Sequence, residues 1–141
     1  MTVARTAPIL VIGLGCRQGV SCSDLLALMT PSLASAGLAL SDVRALACLN
    51  IKQNEPGLIQ LATYLGLPLA VFRADQLVTY EPRLSHRSTL AFEHSGCWGV
   101  AESVALAQAE QLSDGPARLL ITRRKSAVAT FALACGGQIT R

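Results

Sequence analysis

Pro8-Ile9-Leu10-Val11-Ile12-Gly13 is a continuous apolar run rich in β-branched residues, and it reads as a strand buried on both faces. Leu14-Gly15-Cys16-Arg17-Gln18-Gly19 follows, and a helix is expected over residues 21–36. Ser21 with Asp24 three positions later makes a capping box at its start. Leu25, Leu26, Met29 and Leu33 form its apolar stripe, and Gly37 ends it. A buried strand that feeds a capped helix through a glycine-rich turn opens an α/β domain.

The alternation continues downstream. Residues 43–49 form a second strand. Asn54-Glu55-Pro56 opens a second helix with Pro56 at the first helical position. Leu58, Ile59, Ala62 and Leu65 are its expected inner face, and Gly66 is the stop. Residues 68–72 are a third strand, and residues 74–78 one short helical turn. Residues 81–95 read as an irregular polar loop with a short extended piece at 89–92. A helix is expected over residues 98–112, with Val100, Val104 and either Ala105 or Ala107 inward, before the break Ser113-Asp114-Gly115-Pro116. The last strands, 118–122 and 128–134, are joined by Arg123-Arg124-Lys125-Ser126. A connection that short makes an antiparallel hairpin. The expected fold is α/β: one three-layer α/β/α domain over residues 1–141, with a mixed, mostly parallel sheet of about five strands and an antiparallel C-terminal hairpin.

Composition agrees. A chain of 141 residues suits one domain with a sizeable core. With 51% hydrophobic and 15% charged residues and a mean hydropathy of +0.42, disorder is excluded. No apolar run approaches the roughly 20 residues that span a bilayer, so no membrane is expected. Aromatics are only 4%, so the core is packed mainly with small and medium aliphatics. A net charge of +3 without a dense basic run argues against nucleic acid as a partner. All but two of the twelve basic residues are arginine, which grips carboxylates through two parallel hydrogen bonds; a GC-rich genome gives the same bias. The cysteines, Cys16, Cys22, Cys48, Cys97 and Cys135, are odd in number and form no CxxC. They suit reduced thiols in a cytoplasm. Residues 1–8 carry one arginine and no long apolar core, unlike a signal peptide.

Four places carry candidate chemistry. In Gly13-Leu14-Gly15-Cys16-Arg17-Gln18-Gly19, glycines permit positive φ and close approach of a ligand. The helix start beyond adds N–H donors and Arg17 adds charge, so the segment is either a phosphate or carboxylate cradle or a plain tight turn. It has neither GxGxxG spacing nor a P-loop GK[ST]. Cys16, beside Arg17 and ahead of a helix, is expected to have a lowered thiol pKa. In Leu49-Asn50-Ile51-Lys52-Gln53-Asn54-Glu55-Pro56, Lys52 and Glu55 project beyond the carboxyl ends of the strands, on the same edge as Arg17. Glu55 also suits a helix-start acid favoured by the macrodipole.

In His94-Ser95-Gly96-Cys97-Trp98-Gly99-Val100-Ala101-Glu102, glycines around Trp98 suggest a backbone-lined pocket. Glu102 there is a capping acid, a ligand contact or a proton carrier. His86 and His94 titrate near neutrality if solvated. With Cys97 they show no zinc spacing, so neither metal nor cofactor is expected. Arg123-Arg124-Lys125-Ser126, with Thr130 beyond, is a solvated turn unless it folds over the same edge.

These four pieces, in this order, resemble the cobalamin-biosynthesis family formed by the C-terminal domain of CbiG and the stand-alone CobE proteins. The resemblance rests on Gly13-Leu14-Gly15-Cys16-Arg17-Gln18-Gly19, on Ile51-Lys52 with Glu55, and on Gly66-Leu67-Pro68-Leu69. It continues with Gly99-Val100-Ala101-Glu102, then Arg123, Lys125-Ser126 and Ala129-Thr130. It covers nearly the whole chain, and GxGCRxG and GVAE are its most specific parts. Two positions depart from the pattern: Leu49-Asn50-Ile51 replaces Ala-Ser-Ile, and Arg123 stands where a lysine is usual. With no further domain in view, the stand-alone form is the nearer likeness.

The resemblance implies corrin-ring biosynthesis, whose intermediates carry acetate and propionate arms on a large flat macrocycle. It implies a substrate-binding set of Gly15, Cys16, Arg17, Gly19, Lys52, Glu55, Gly99, Glu102, Arg123, Lys125 and Thr130, with Trp98 against the macrocycle. Full-length CbiG opens a lactone on a cobalt-precorrin with loss of acetaldehyde, chemistry that need not transfer. Two readings stand. One is a carrier or accessory factor for a precorrin or hydrogenobyrinic-acid-type tetrapyrrole, with other corrin-pathway enzymes as further partners. The other is a precorrin-modifying hydrolase, lyase or isomerase with Glu55, Glu102 or His94 as acid or base and Cys16 as nucleophile.

Overall fold

A computed structural model describes residues 8–85 and 99–137. Five strands form one sheet: β1 (Ile9–Cys16), β2 (Val43–Leu49), β3 (Leu69–Phe72), β4 (Ala117–Lys125) and β5 (Ala129–Gly136), in the order β3-β2-β1-β5-β4. β1 pairs with β2, and β2 with β3, in parallel; β5 is antiparallel to both β1 and β4. Four strands therefore end on one edge, and β5 starts there. Helices α1 (Cys22–Ser35) and α2 (Pro56–Leu65) cover one face, and α3 (Val100–Ser113) covers the other. This is the expected mixed-sheet α/β arrangement.

The alternation along β1 divides the core. Leu10, Ile12 and Leu14 meet Leu25, Met29 and Leu33 of α1, while Ile9 and Val11 meet the α3 side. Each fully buried leucine or methionine here contributes about 1.5–3 kcal/mol. On the α3 side, glycines and alanines thin the sheet where the helix crosses β1 and β5. A Cβ on Gly13 would stand 2.0 Å from the Ala101 carbonyl oxygen, and one on Gly136 would stand 2.6 Å from that of Ala109. Ala101, Ala105 and Ala109, one turn apart, give α3 an equally thin face. Small residues on both partners let helix and sheet meet closely, and every residue from Ala101 to Ala109 is buried.

Several expectations shift. β1 runs on past Gly13 because β5 pairs with it as far as Cys16↔Ala129, so Gly15 and Cys16 lie in the strand. The close approach that Gly13 permits is that of a helix. β4 extends to Lys125, so Arg123, Arg124 and Lys125 are strand residues rather than turn residues. The helical turn expected at 74–78 is a 3-10 segment, Ala74–Arg83. α2 buries Gly57, Leu58 and Leu61, leaving Ile59 45% exposed. Its first turn presses on Val20, whose carbonyl oxygen would lie 2.2 Å from a Cβ on Gly57, so Gly57 and Leu61 join Leu58 on the buried face. The expected extended piece at 89–92 and helix start at 98, with His86, His94, Cys97 and Trp98, fall outside the described residues.

Candidate anion-binding rim

The edge where β1 to β4 end also receives the starts of α1, α2 and α3, so the described residues of the four sequence-marked segments meet there. Hydrogen bonds tie them together. Arg17 donates its amide to the Val128 carbonyl at 2.8 Å, joining the first loop to the β4–β5 turn. Gly19 donates its amide to Glu55 Oε2 at 2.8 Å, joining the first loop to the start of α2. Lys52 closes a short turn, Asn50–Lys52, and its carbonyl accepts the Glu55 amide at 3.0 Å.

On the α3 face, Gly15, Thr130 and Lys125 pair in one row across β1, β5 and β4. A Cβ on Gly15 would lie 2.7 Å from Thr130 Oγ1 and 3.6 Å from Val100 Cγ1, so only glycine leaves room there. Gly99 caps α3 just beyond, with an extended φ of −141°.

Glu102, in the first turn of α3, is 1% exposed. Its carboxylate accepts the Arg123 amide at 2.8 Å, the Ser85 amide at 2.7 Å and the Ser85 hydroxyl. A buried charge persists where such donors surround it. Sequence reading missed Ser85, because nothing local marks a residue 17 positions from its partner.

The backbone donors of the first loop are largely occupied. The amides of Arg17, Gly19 and Val20 bond within the protein, and Ser21 and Asp24 cap α1 reciprocally at 3.0 and 3.3 Å. Cationic side chains therefore dominate the rim. Among the described residues, Arg17, Lys52, Arg123 and Lys125 form no ion pair, while Glu55 and Glu102 are held by backbone amides.

Cys16 departs from expectation. It ends β1 and is separated from α1 by five residues, so no helix start stabilises a thiolate. Burial pushes its thiol up to about 11, against the downward pull of the Lys52 ammonium and helped by the Glu55 carboxylate. Burial also lifts Cys48 to about 11, with Cys16 adding to the effect.

A second polar cluster lies near the opposite edge of the sheet, where β4 begins. Glu110 accepts from Tyr80 Oη at 3.0 Å, from Arg83 at 3.0 Å and from the Ala117 amide at 2.9 Å. A cavity of about 310 Å³ lies beside it, lined by Phe72, Gln76, Tyr80, Ala107, Glu110 and Gln111. None of the expected site residues lines it. Among the described residues, no group of three or more His, Cys, Asp or Glu is placed to hold a metal, and no helix is long and apolar enough to cross a membrane.

Residues 10–134 match the family described as "Cobalamin synthesis G C-terminus". A relative from Sinorhizobium sp, "Protein CobE", is 37% identical over 125 residues, 89% of this chain and 79% of the relative. A "Cobalt-precorrin-5A hydrolase" from Priestia megaterium is 26% identical over 126 residues. That match covers 89% of this chain but 32% of the hydrolase, so the chain spans about a third of that protein. The crystal structure of CobE, a protein from the cobalamin (vitamin B12) biosynthetic pathway, matches with a TM-score of 0.92 and 40% identity, covering 99% of this chain and 97% of that one.

Proposed function

Because the chain belongs to the cobalamin synthesis G C-terminal family, we propose that it binds a precorrin or hydrogenobyrinic-acid-type tetrapyrrole at the rim. It acts there as a carrier or accessory factor in corrin-ring assembly, as a single domain. The observation that carries this reading is the charge pattern. Arg17, Lys52, Arg123 and Lys125 form no ion pair among the described residues, whereas the Glu55 and Glu102 carboxylates are engaged by amides. Such an edge favours a ligand with several carboxylates. Ile51, 59% exposed beside Lys52, adds an apolar contact for a macrocycle.

Acid–base chemistry by Glu55 or Glu102 is the less supported reading. Each carboxylate already accepts backbone N–H bonds, and a working acid or base must reach the proton it moves. A protonated Cys16 is a poor nucleophile. We place the protein in the cytoplasm, where the free thiols of Cys16, Cys22, Cys48 and Cys135 stay reduced. Other enzymes of the pathway are its natural partners, delivering and receiving the ligand.

Titrating the purified protein with hydrogenobyrinic acid while following the visible spectrum tests the reading. A spectral shift with co-elution on gel filtration is expected. No shift and no co-elution at tens of micromolar overturn it.

A further inference from the structure

We propose that Glu102 is a positioning residue that sets which face of the sheet carries Lys125. Ile121 pairs with Leu133, and the next described pair is Arg124 with Phe131. Three steps along β4 thus match two along β5, so β4 carries an extra residue at Thr122-Arg123, the second after one between Leu119 and Ile121. The first bulge turns β4 over, from Leu119 on the α3 side to Ile121 in the core beneath α1, and with that bulge alone Lys125 would share the face of Ile121. The second extra residue inverts this. Arg124 comes opposite Phe131, and Lys125 comes opposite Thr130, in the row that ends at Gly15 on the α3 face.

The amide at this bulge belongs to Arg123, and it donates to Glu102 Oε2 at 2.8 Å. The same carboxylate is anchored by the Ser85 amide and hydroxyl. A nearly inaccessible carboxylate on α3 thereby fixes the register of an edge strand. Arg124 folds back onto Thr122, its Nη1 donating to the carbonyl at 3.2 Å, which leaves Lys125 as the cation that the bulge delivers to the rim. Glu102 acts on a ligand through Lys125, without touching it.

This inference rests on the rim reading above, and the experiment separates the two. The probe is uroporphyrin I, an octacarboxylate tetrapyrrole, with binding followed by its fluorescence. Lys125→Gln is expected to weaken binding about tenfold, as is Glu102→Gln. The double variant should bind no more weakly than Glu102→Gln alone. Losses that multiply would overturn the inference and leave the rim reading intact. Tighter binding by Glu102→Gln, as for a carboxylate that faces the polyanion, would also overturn it. Failure of the unmodified protein to bind uroporphyrin I, or indifference to Lys125→Gln, would remove the rim reading and the inference together. Should Glu102→Gln not fold, amide exchange in the unmodified protein decides. The Arg123 amide is expected to exchange at least about 100-fold more slowly than that of Ala127 in the turn. Equal rates would overturn the inference.

Discussion

The amide of Gly19 and the carboxylate of Glu55, 36 positions apart, are joined at 2.8 Å. The bond fixes the loop bearing Arg17 against the start of α2, so two segments that the sequence keeps apart present one surface. Glu55→Ala is expected to cost about 1 kcal/mol of stability, since the pair is exposed. It should also weaken corrinoid binding by freeing the Arg17 loop. Urea midpoints and spectral titrations measure the two effects, and unchanged affinity would show that the loop holds its place without Glu55.

Gly13→Ala drives a methyl group to within 2.0 Å of the Ala101 carbonyl oxygen, and backbone must move. The expected loss is about 3 kcal/mol, which corresponds to roughly 10 °C in Tm. Gly19→Ala meets nothing within 4 Å but must hold φ at +87°, at a cost of about 1 kcal/mol. Thermal melts of the two variants should rank in that order; the reverse would contradict the close helix–sheet contact.

Features set by neighbours in sequence are legible in it. The Ser21–Asp24 box, Pro56 at the start of α2 and the left-handed Gly66 at its end each act within one turn, and each stands where the sequence predicts. Features set by distant pairing are not legible. β1 is prolonged by β5, the β4 bulge at Arg123 meets Glu102, and Gly57 of α2 packs on Val20. At the rim, the sequence places Lys52 and Glu55 on the same edge as Arg17, and leaves open whether the Arg123-Arg124-Lys125-Ser126 segment joins them. It does not reveal that Glu55 and Glu102 are engaged by amides, nor that burial at the end of β1 outweighs the charge near Cys16.

That burial makes stability depend on alkaline pH. In the folded protein the thiols of Cys16 and Cys48 hold their protons to about pH 11. In the unfolded chain they ionise near the ordinary value of 9.0. Their contribution is therefore complete below about pH 9 and is lost as pH rises towards 11. Urea unfolding across that window should show stability falling, with a shallower fall in Cys16→Ala. An identical slope in that variant, or alkylation of Cys16 near pH 8 at the rate of a free thiol, would contradict the shift.

At the start of β4, burial alone would push the Glu110 carboxyl up, but its bonds from the Ala117 amide, Arg83 and Tyr80 outweigh it and hold it below the usual range. A depressed carboxyl stabilises above its unfolded pKa, and that stabilisation is lost as pH falls through the folded value. Glu110→Gln is expected to cost about 1–2 kcal/mol at neutral pH and to flatten the acid limb of the stability profile. Rim affinity should not change. A variant that retains the acid limb unaltered would place its origin elsewhere.

The most direct test is the dissociation constant of hydrogenobyrinic acid for the unmodified chain and for the combined Arg17→Ala, Lys52→Gln and Lys125→Gln variant. Each charged contact is worth about 1.5–3 kcal/mol before solvent screening. The variant, folded by its far-ultraviolet spectrum, should bind at least about 100-fold more weakly. Equal affinity in the two proteins would contradict the account, because a tetrapyrrole that ignores those three cations is not held at this rim.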